Sequence, residues 1–281
     1  MTRIITDSAA DFSPQELEQL NISCIPLTVM FGETEYQENV NLTKDEFYTL
    51  LLNNAEHPKT AQASPQVLID LFEDAHVAGD EAVYVCLSSA LSGTYQSAVM
   101  TQNMLDYDTC LVVDSRNATG GQRLLVQYAV KLRDEGNSAK EIVAAIEALR
   151  ERVVLYACID TLEYLYKGGR ISHTAYKLGT FANIKPIITV DKGGYVQVPA
   201  KAMGMRKGMD RLCSYTQQQN PDAEHPFYVM YTNNRSVAET LNKRLASVGC
   251  EVPDDHIIQV GAAIGSHIGP DACGLVYIGS E

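Results

Sequence analysis

Cys86-Leu87-Ser88-Ser89-Ala90-Leu91-Ser92-Gly93-Thr94-Tyr95-Gln96-Ser97-Ala98 is the stretch on which the fold of this chain turns. Before it, Ala82 to Leu87 is an apolar run of strand composition; after it, the residues through Ala98 and Met100 continue as a helix. Six hydroxyl-bearing side chains crowd the join. The first N–H groups of a helix have no intrahelical acceptor, so Ser92-Gly93-Thr94 is suited to an oxyanion. Gly93 allows close backbone approach, Ser92 and Thr94 carry donors, and the helix dipole favours negative charge. A plain N-cap by Ser92 is compatible with the same residues.

Further strand-like runs are Ile4-Ile5, Cys110 to Val113, Val153 to Ile159, Ile184 to Val190, Phe227 to Tyr231 and Ile257 to Val260. Helix starts with a hydroxyl cap and a glutamate three residues on stand at Ser13–Glu16, Thr43–Glu46, Ser138–Glu141 and Ser236–Glu239, and Ser64-Pro65 adds a fifth. Strand and helix therefore alternate through the first half, which predicts an α/β fold with a mostly parallel sheet and flanking helices. In the second half, Ile187 to Val190, the turn Asp191-Lys192-Gly193-Gly194 and Tyr195 to Val198 predict a β-hairpin, and Cys273 to Ile278 a last strand. Two α/β domains are expected, residues 1–155 and 156–281, the second with a mixed sheet. Three first-half strands run into Thr6-Asp7-Ser8, Ser88-Ser89 and Asp114-Ser115; if parallel, these ends converge on the carboxyl edge, where open α/β sheets place ligands.

The formal charge of -13 over 281 residues argues against an extended nucleic-acid surface, though it leaves a small anion held by local donors possible. No stretch approaches the roughly 18 to 20 apolar residues of a membrane span, and Met1 to Ser8 turns polar early, so a cytoplasmic chain without stable membrane insertion is expected. The seven cysteines include no C-x-x-C pair and read as reduced core thiols, not metal ligands. Neither a nucleophile elbow nor a P-loop, dinucleotide fingerprint or zinc-protease motif occurs.

Two more polar spots could complete a pocket. Lys59 to Ser64 is a loop in which Ser64 can cap the next helix, leaving Thr60 and Gln62 free; Gly265 to Pro270 carries the glycine-flanked His267. Lys167, Arg170, Lys201, Arg206, Lys207 and Arg211 make a basic region that reads either as solvated turns and helix ends or as a docking face. A Ser92, His267 and Asp7 trio is conceivable, but spacing does not bring the three together.

Taken in order, Thr6-Asp7-Ser8, Lys59 to Ser64, Leu87 to Ala98, Asp114-Ser115, Lys167-Gly168-Gly169-Arg170-Ile171-Ser172, Lys185-Pro186 and His267-Ile268-Gly269-Pro270 resemble the DegV family of bacterial fatty-acid-binding proteins nearly end to end. The resemblance implies a two-domain α/β carrier of phospholipid metabolism, with no catalysis, cofactor or metal of its own. It would bury a long-chain fatty acid with the carboxylate at the domain interface and present that group to a separate ATP-dependent fatty acid kinase. It implies Thr60 and Ser92 as carboxylate ligands with Gly93, Thr94 and His267 beside them; Gln62 and Ser64 complete the expected set, with Arg170, Arg206 and Lys207 as kinase-docking residues and a monomer as the assembly. At about 0.8 kcal/mol per buried CH₂, a chain of roughly 16 carbons brings on the order of 10 kcal/mol gross, so the tail supplies affinity and the head group orientation.

Three segments depart from the family pattern. Ala61 and Ala63 replace a serine and a stiffening proline, Asp271 replaces a glycine near the expected carboxylate gate, and Met203 stands where a kinase-contacting arginine is expected. Two rival readings stay open: an enzyme acting on a small phosphorylated metabolite, because Ser/Thr-rich loops before helices also hold phosphate, and a serine hydrolase using Ser92.

Overall fold

The computed structural model describes residues 1–177 and 183–280. The first half runs β1 (Thr2–Asp7), α1 (Pro14–Gln19), β2 (Ile22–Ile25), β3 (Thr28–Phe31), β4 (Thr34–Gln37), α2 (Lys44–Asn53), β5 (Lys59–Ala61), α3 (Pro65–Ala78), β6 (Glu81–Cys86), α4 (Thr94–Leu105), β7 (Cys110–Asp114), α5 (Thr119–Asp134) and α6 (Ala139–Leu149). Strands β2, β1, β6 and β7 lie side by side in that order, all parallel. This is the sheet that the strand–helix alternation predicts, since parallel neighbours need a crossover between them. A second, antiparallel sheet of order β4-β3-β5 has no counterpart in the sequence reading. Its strands have only three or four residues, too few for a period of two to declare itself, and β5 lies inside what reads as a polar loop.

The second half runs β8 (Val153–Cys158), α7 (Glu163–Lys167), α8 (His173–Lys177), β9 (Ile184–Val190), β10 (Val196–Met203), α9 (Gly204–Gln219), β11 (Tyr228–Tyr231), α10 (Arg235–Ala246), β12 (Ile257–Gln259), α11 (Ala262–Ile268) and β13 (Cys273–Ile278). These strands form one mixed sheet of order β10-β9-β8-β13-β11-β12, antiparallel except at β11–β12. The expected hairpin is β9–β10, with Val190 opposite Val196. Residue 155, the expected domain boundary, falls within β8.

Helix α5 lies between the two large sheets. Leu124, Leu125, Val126, Ala129 and Val130 share one hydrophobic cluster with Ile4, Val83 and Val85 of the parallel sheet and with Tyr228, Met230, Val276 and Ile278 of the mixed one. Each such side chain contributes roughly 1.5–3 kcal/mol on burial, so the halves share a core and leave no linker. Even Arg123 is buried there, paired with Glu16 and stacked over Phe12 and Tyr228.

Local signals hold where the partners are adjacent in sequence. The capping boxes at Ser13, Thr43 and Ser138 all form. At α10 the cap is Asn234, not Ser236, because the Asn234 side chain takes the Ser236 N–H and starts the helix earlier. Ser64 precedes α3 but its side chain caps nothing, although Ser13 caps α1 across the same Ser-Pro start. All seven cysteines are free thiols, and burial pushes Cys158 up to about 12. Among the described residues no helix is long and apolar enough to cross a membrane.

Candidate functional site

A cavity that opens in part to solvent lies where the three sheets and α11 meet, with about 890 Å³ of space free of atoms, solvent-open space included. Leu27, Leu87, Leu155, Ile188, Val190 and Met230 are among its apolar walls. Its polar lining comes chiefly from Thr60, Ser92, Thr119, Arg170, Thr232 and His267, and among the described residues no carboxylate lines it. For a chain of charge -13 that composition is selective: one cation and several neutral donors face a greasy interior.

The polar side is assembled from distant segments. Pairing of β5 with β3, Thr60 opposite Val29, sets the Thr60 backbone in place. Helix α11 brings His267 to it, with Nε2 2.9 Å from Thr60 Oγ1. The other ring nitrogen, Nδ1, is buried without a partner against Gly168, where any side chain would strike it. Burial first, then the Arg170 charge and His57, press His267 down to about 3, so the ring is neutral in the empty protein at neutral pH. Positive charge therefore comes from Arg170, whose Nε donates to Leu91 O at 3.0 Å and whose Nη1 donates to Gly168 O.

The opening stretch forms a compact turn ahead of α4. Thr94 N–H donates to Ser92 Oγ at 3.2 Å, the two hydroxyls lie 2.9 Å apart, and Ala63 N–H donates to Thr94 Oγ1 at 3.4 Å. Thr94 is buried and ties the Lys59–Ser64 segment to the helix, so it acts behind the cavity surface. Gly93, not Ser92, is the N-cap residue, with no side-chain cap. A Cβ at Gly93 would lie 2.6 Å from Gln62 Oε1, so this glycine makes room for Gln62, which is exposed and covers the turn from outside.

The structure thus gathers Thr60, Ser92 and His267 at the cavity and sets Gly93, Thr94 and Gln62 around the adjoining turn, while Ser64 is exposed and outside the lining. Arg170, expected on a docking face, lines the cavity; Arg206 and Lys207 are exposed at the start of α9. The strand ends do share one edge, yet most are occupied structurally. Asp7 accepts from Ala9 N–H, Leu87 N–H, Gln122 and Tyr84; Ser88 donates to Gly194 O; Asp114 accepts from Ser89 N–H and Arg116 N–H. The Ser92–His267–Asp7 trio therefore does not assemble: Ser92 is bonded to Thr94, and His267 to Thr60.

The family model described as "Uncharacterised protein, DegV family" matches residues 1–280. The chain belongs to the DegV family. A DegV domain-containing protein of Caldanaerobacter subterraneus is 35% identical over 277 residues, covering 98% of this chain and 97% of that one. Another, from Clostridium perfringens, is 33% identical over 285 residues, covering 98% and 97%. Among solved structures, a fatty-acid-binding DegV protein of Thermus thermophilus superposes with a TM-score of 0.88 at 27% identity over 99% of both chains. A fatty acid binding DegV family protein of Streptococcus agalactiae gives 0.88 at 25% over 100% of this chain and 99% of that one. DegV of Bacillus subtilis, described as a fatty acid binding protein, gives 0.83 at 27% over 99% of each.

Against the DegV pattern, the three departures have structural accounts. Asp271 takes a left-handed φ of 57°, which aspartate tolerates better than most residues. It is exposed, exchanges bonds with Asn233 and stays out of the cavity lining. Met203 is 59% exposed, and Ala63 is buried in the core beside α3. Sequence reasoning missed Thr119, whose φ of 47° places a β-branched residue in the cavity wall in a strained conformation. Nothing in the local sequence signals that position. Among the described residues, no group of three or more His, Cys, Asp or Glu side chains is arranged to hold a metal ion.

Proposed function

We propose that this protein binds one long-chain fatty acid, with the alkyl tail in the cavity and the carboxylate against Thr60, Ser92 and the neighbouring donors. The observation that carries the reading is the carboxylate-free, mainly apolar cavity with Thr60, Ser92, Arg170 and His267 in its lining. A buried carboxylate without donors costs several kcal/mol, and these groups offset that cost. Membership of a family whose solved members bind fatty acids supports the same reading. Arg170 serves the head group as a nearby cation while pinning Leu91 next to Ser92.

The finer reading is a non-enzymatic cytoplasmic carrier, monomeric, that offers the carboxyl group to a separate ATP-dependent kinase for acyl-phosphate formation. Arg206 and Lys207 support it as exposed cations available to an acidic partner surface. The decisive experiment is organic extraction of the purified protein followed by mass spectrometry, which should release about one fatty acid per chain. Protein that is repeatedly lipid-free and takes up no added acyl chain would reject the proposal. Fatty-acid-dependent phosphorylation by a purified kinase, weakened by Arg206→Ala with Lys207→Ala, tests the partner.

A further inference from the structure

The two ends of α11 meet opposite surroundings. At its C-terminal end His267 lines the cavity; at its N-terminal end two buried carboxylates from the first half of the chain hold the backbone. Asp11 Oδ1 accepts Gly261 N–H at 2.8 Å, and Asp11 Oδ2 accepts the hydroxyl of the cavity residue Thr119. Glu38 Oε1 accepts Ala262 N–H and, at 3.4 Å, Ala263 N–H, while Oε2 accepts the Ser8 hydroxyl at 2.7 Å. Both carboxylates converge on the α carbon of Gly261, where a side chain would strike Glu38 Oε1 and lie 2.8 Å from Asp11 Oδ1.

We propose that Asp11 and Glu38 are positioning residues for the ligand: as anions they pin α11 to the cavity wall, hold His267 beside Thr60, and make cargo retention depend on their ionisation. This inference rests on the fatty-acid reading above. An ionised acceptor holds helix N–H groups through charge-assisted bonds and the helix dipole, whereas a protonated carboxyl offers only a neutral bond.

The charged and titratable groups around the pair are Asp7 of β1, Cys24 of β2, Lys44 and Tyr48 of α2 and Arg123 of α5. Lys44 Nζ donates to Asp11 O at 2.9 Å and to Gln259 O at 2.8 Å, and Arg123 donates to Asp11 O at 3.3 Å, so the cations lean on the pair through backbone carbonyls. Burial first, then the Asp11 charge, pushes Glu38 up to about 7; burial also raises Asp11 and takes Asp7 to about 6. Cys24 and Tyr48 are pushed up by burial and stay neutral throughout that range.

The sign follows. A carboxyl whose folded pKa lies above its unfolded value adds stability as pH falls through 7, yet the same protonation weakens its hold on α11. Stability and affinity should therefore change in opposite directions, which a purely structural residue would not produce.

The test compares the affinity of the full chain for hexadecanoate in the wild type and Glu38→Gln, from about pH 5.5 to about pH 8.5. The ligand's own carboxyl titrates alike in both proteins, so the affinity ratio isolates Glu38. The variant should bind about tenfold more weakly at the alkaline end, with a gap of about twofold or less at the acidic end, and melt no lower than wild type at the alkaline end. A ratio independent of pH overturns the inference, as does parallel loss of melting temperature and affinity. If the variant does not fold, wild-type spectra decide: the Glu38 carboxyl and His267 ring signals should share a midpoint near 7, and a His267 signal that ignores the Glu38 titration overturns the inference. Wild-type protein that binds no fatty acid at any pH is a separate failure, of the proposed function, and the spectra still decide the positioning.

Discussion

The polar side of the cavity and the acidic clamp at the start of α11 are both built from residues far apart in sequence, yet their hydrogen-bond accounts differ. In the clamp, the oxygens of Asp11 and Glu38 have donors, and no carboxylate is left over. At the cavity, His267 Nδ1 is buried without a partner and the lining holds donors but no acid. Satisfied polar groups fix a structure; a lining of hydroxyls and one cation without an acid leaves a carboxylate to come from a ligand. One helix, α11, joins the two regions.

The largest expected effect tests the neutrality of His267. Its folded pKa lies below the ordinary 6.5, near 3, so the folded state excludes a proton that the unfolded state accepts. The stability it contributes is fully present above pH 6.5 and drains away as pH falls toward 3, on the order of 4 kcal/mol across that window. Denaturant melts at stepped pH should show this slope, and His267→Asn should flatten it; an unchanged slope would break the contrast between neutral cavity and anionic clamp.

Next comes the head group. Thr60→Val with Ser92→Ala removes two donors to an anion and should weaken fatty-acid binding at least about a hundredfold, at roughly 1.5–3 kcal/mol per charged hydrogen bond, and should also lower stability by about 1–3 kcal/mol because His267 Nε2 loses its partner. Titration calorimetry reads it, and equal affinity would show that the carboxylate lies elsewhere. Gly168→Ala probes the same region from behind by driving a methyl group against His267 Nδ1. A loss of about tenfold in affinity and about 1–3 kcal/mol in stability is expected, visible together in a ligand-dependent thermal shift. The smallest effect is Ser64→Ala, expected to alter stability by under about 0.5 kcal/mol because the side chain caps nothing. A larger loss in denaturant melts would restore the cap reading.

Legibility followed the distance over which each interaction acts. Three capping boxes, the β9–β10 hairpin and the strand runs of both large sheets other than β2 depend on neighbours within a few residues, and they stand where the sequence puts them. Strand β5 did not announce itself, because three residues of mixed polarity become a strand only when β3 supplies the ladder. Arg170 read as a surface cation since nothing in Lys167 to Ser172 encodes the Leu91 carbonyl it meets. Ser64 and Ser236 carried sound local cap signals that do not form: Ser64 makes no cap bond, and Asn234 starts α10 earlier.

The sequence by itself determined the α/β class, the helix and strand periods, the acidic net charge and the polar turn at Ser92-Gly93-Thr94. Only the tertiary structure decided that Thr60 and His267 meet across 207 positions, that Asp11 and Glu38 close on Gly261, and that leucines and valines enclose space instead of filling it. The reason is physical: secondary structure answers to bonds and periods within one segment, whereas a cavity and its polar lining are sums over contacts between segments, and an apolar side chain reads the same whether it faces a neighbour or a void.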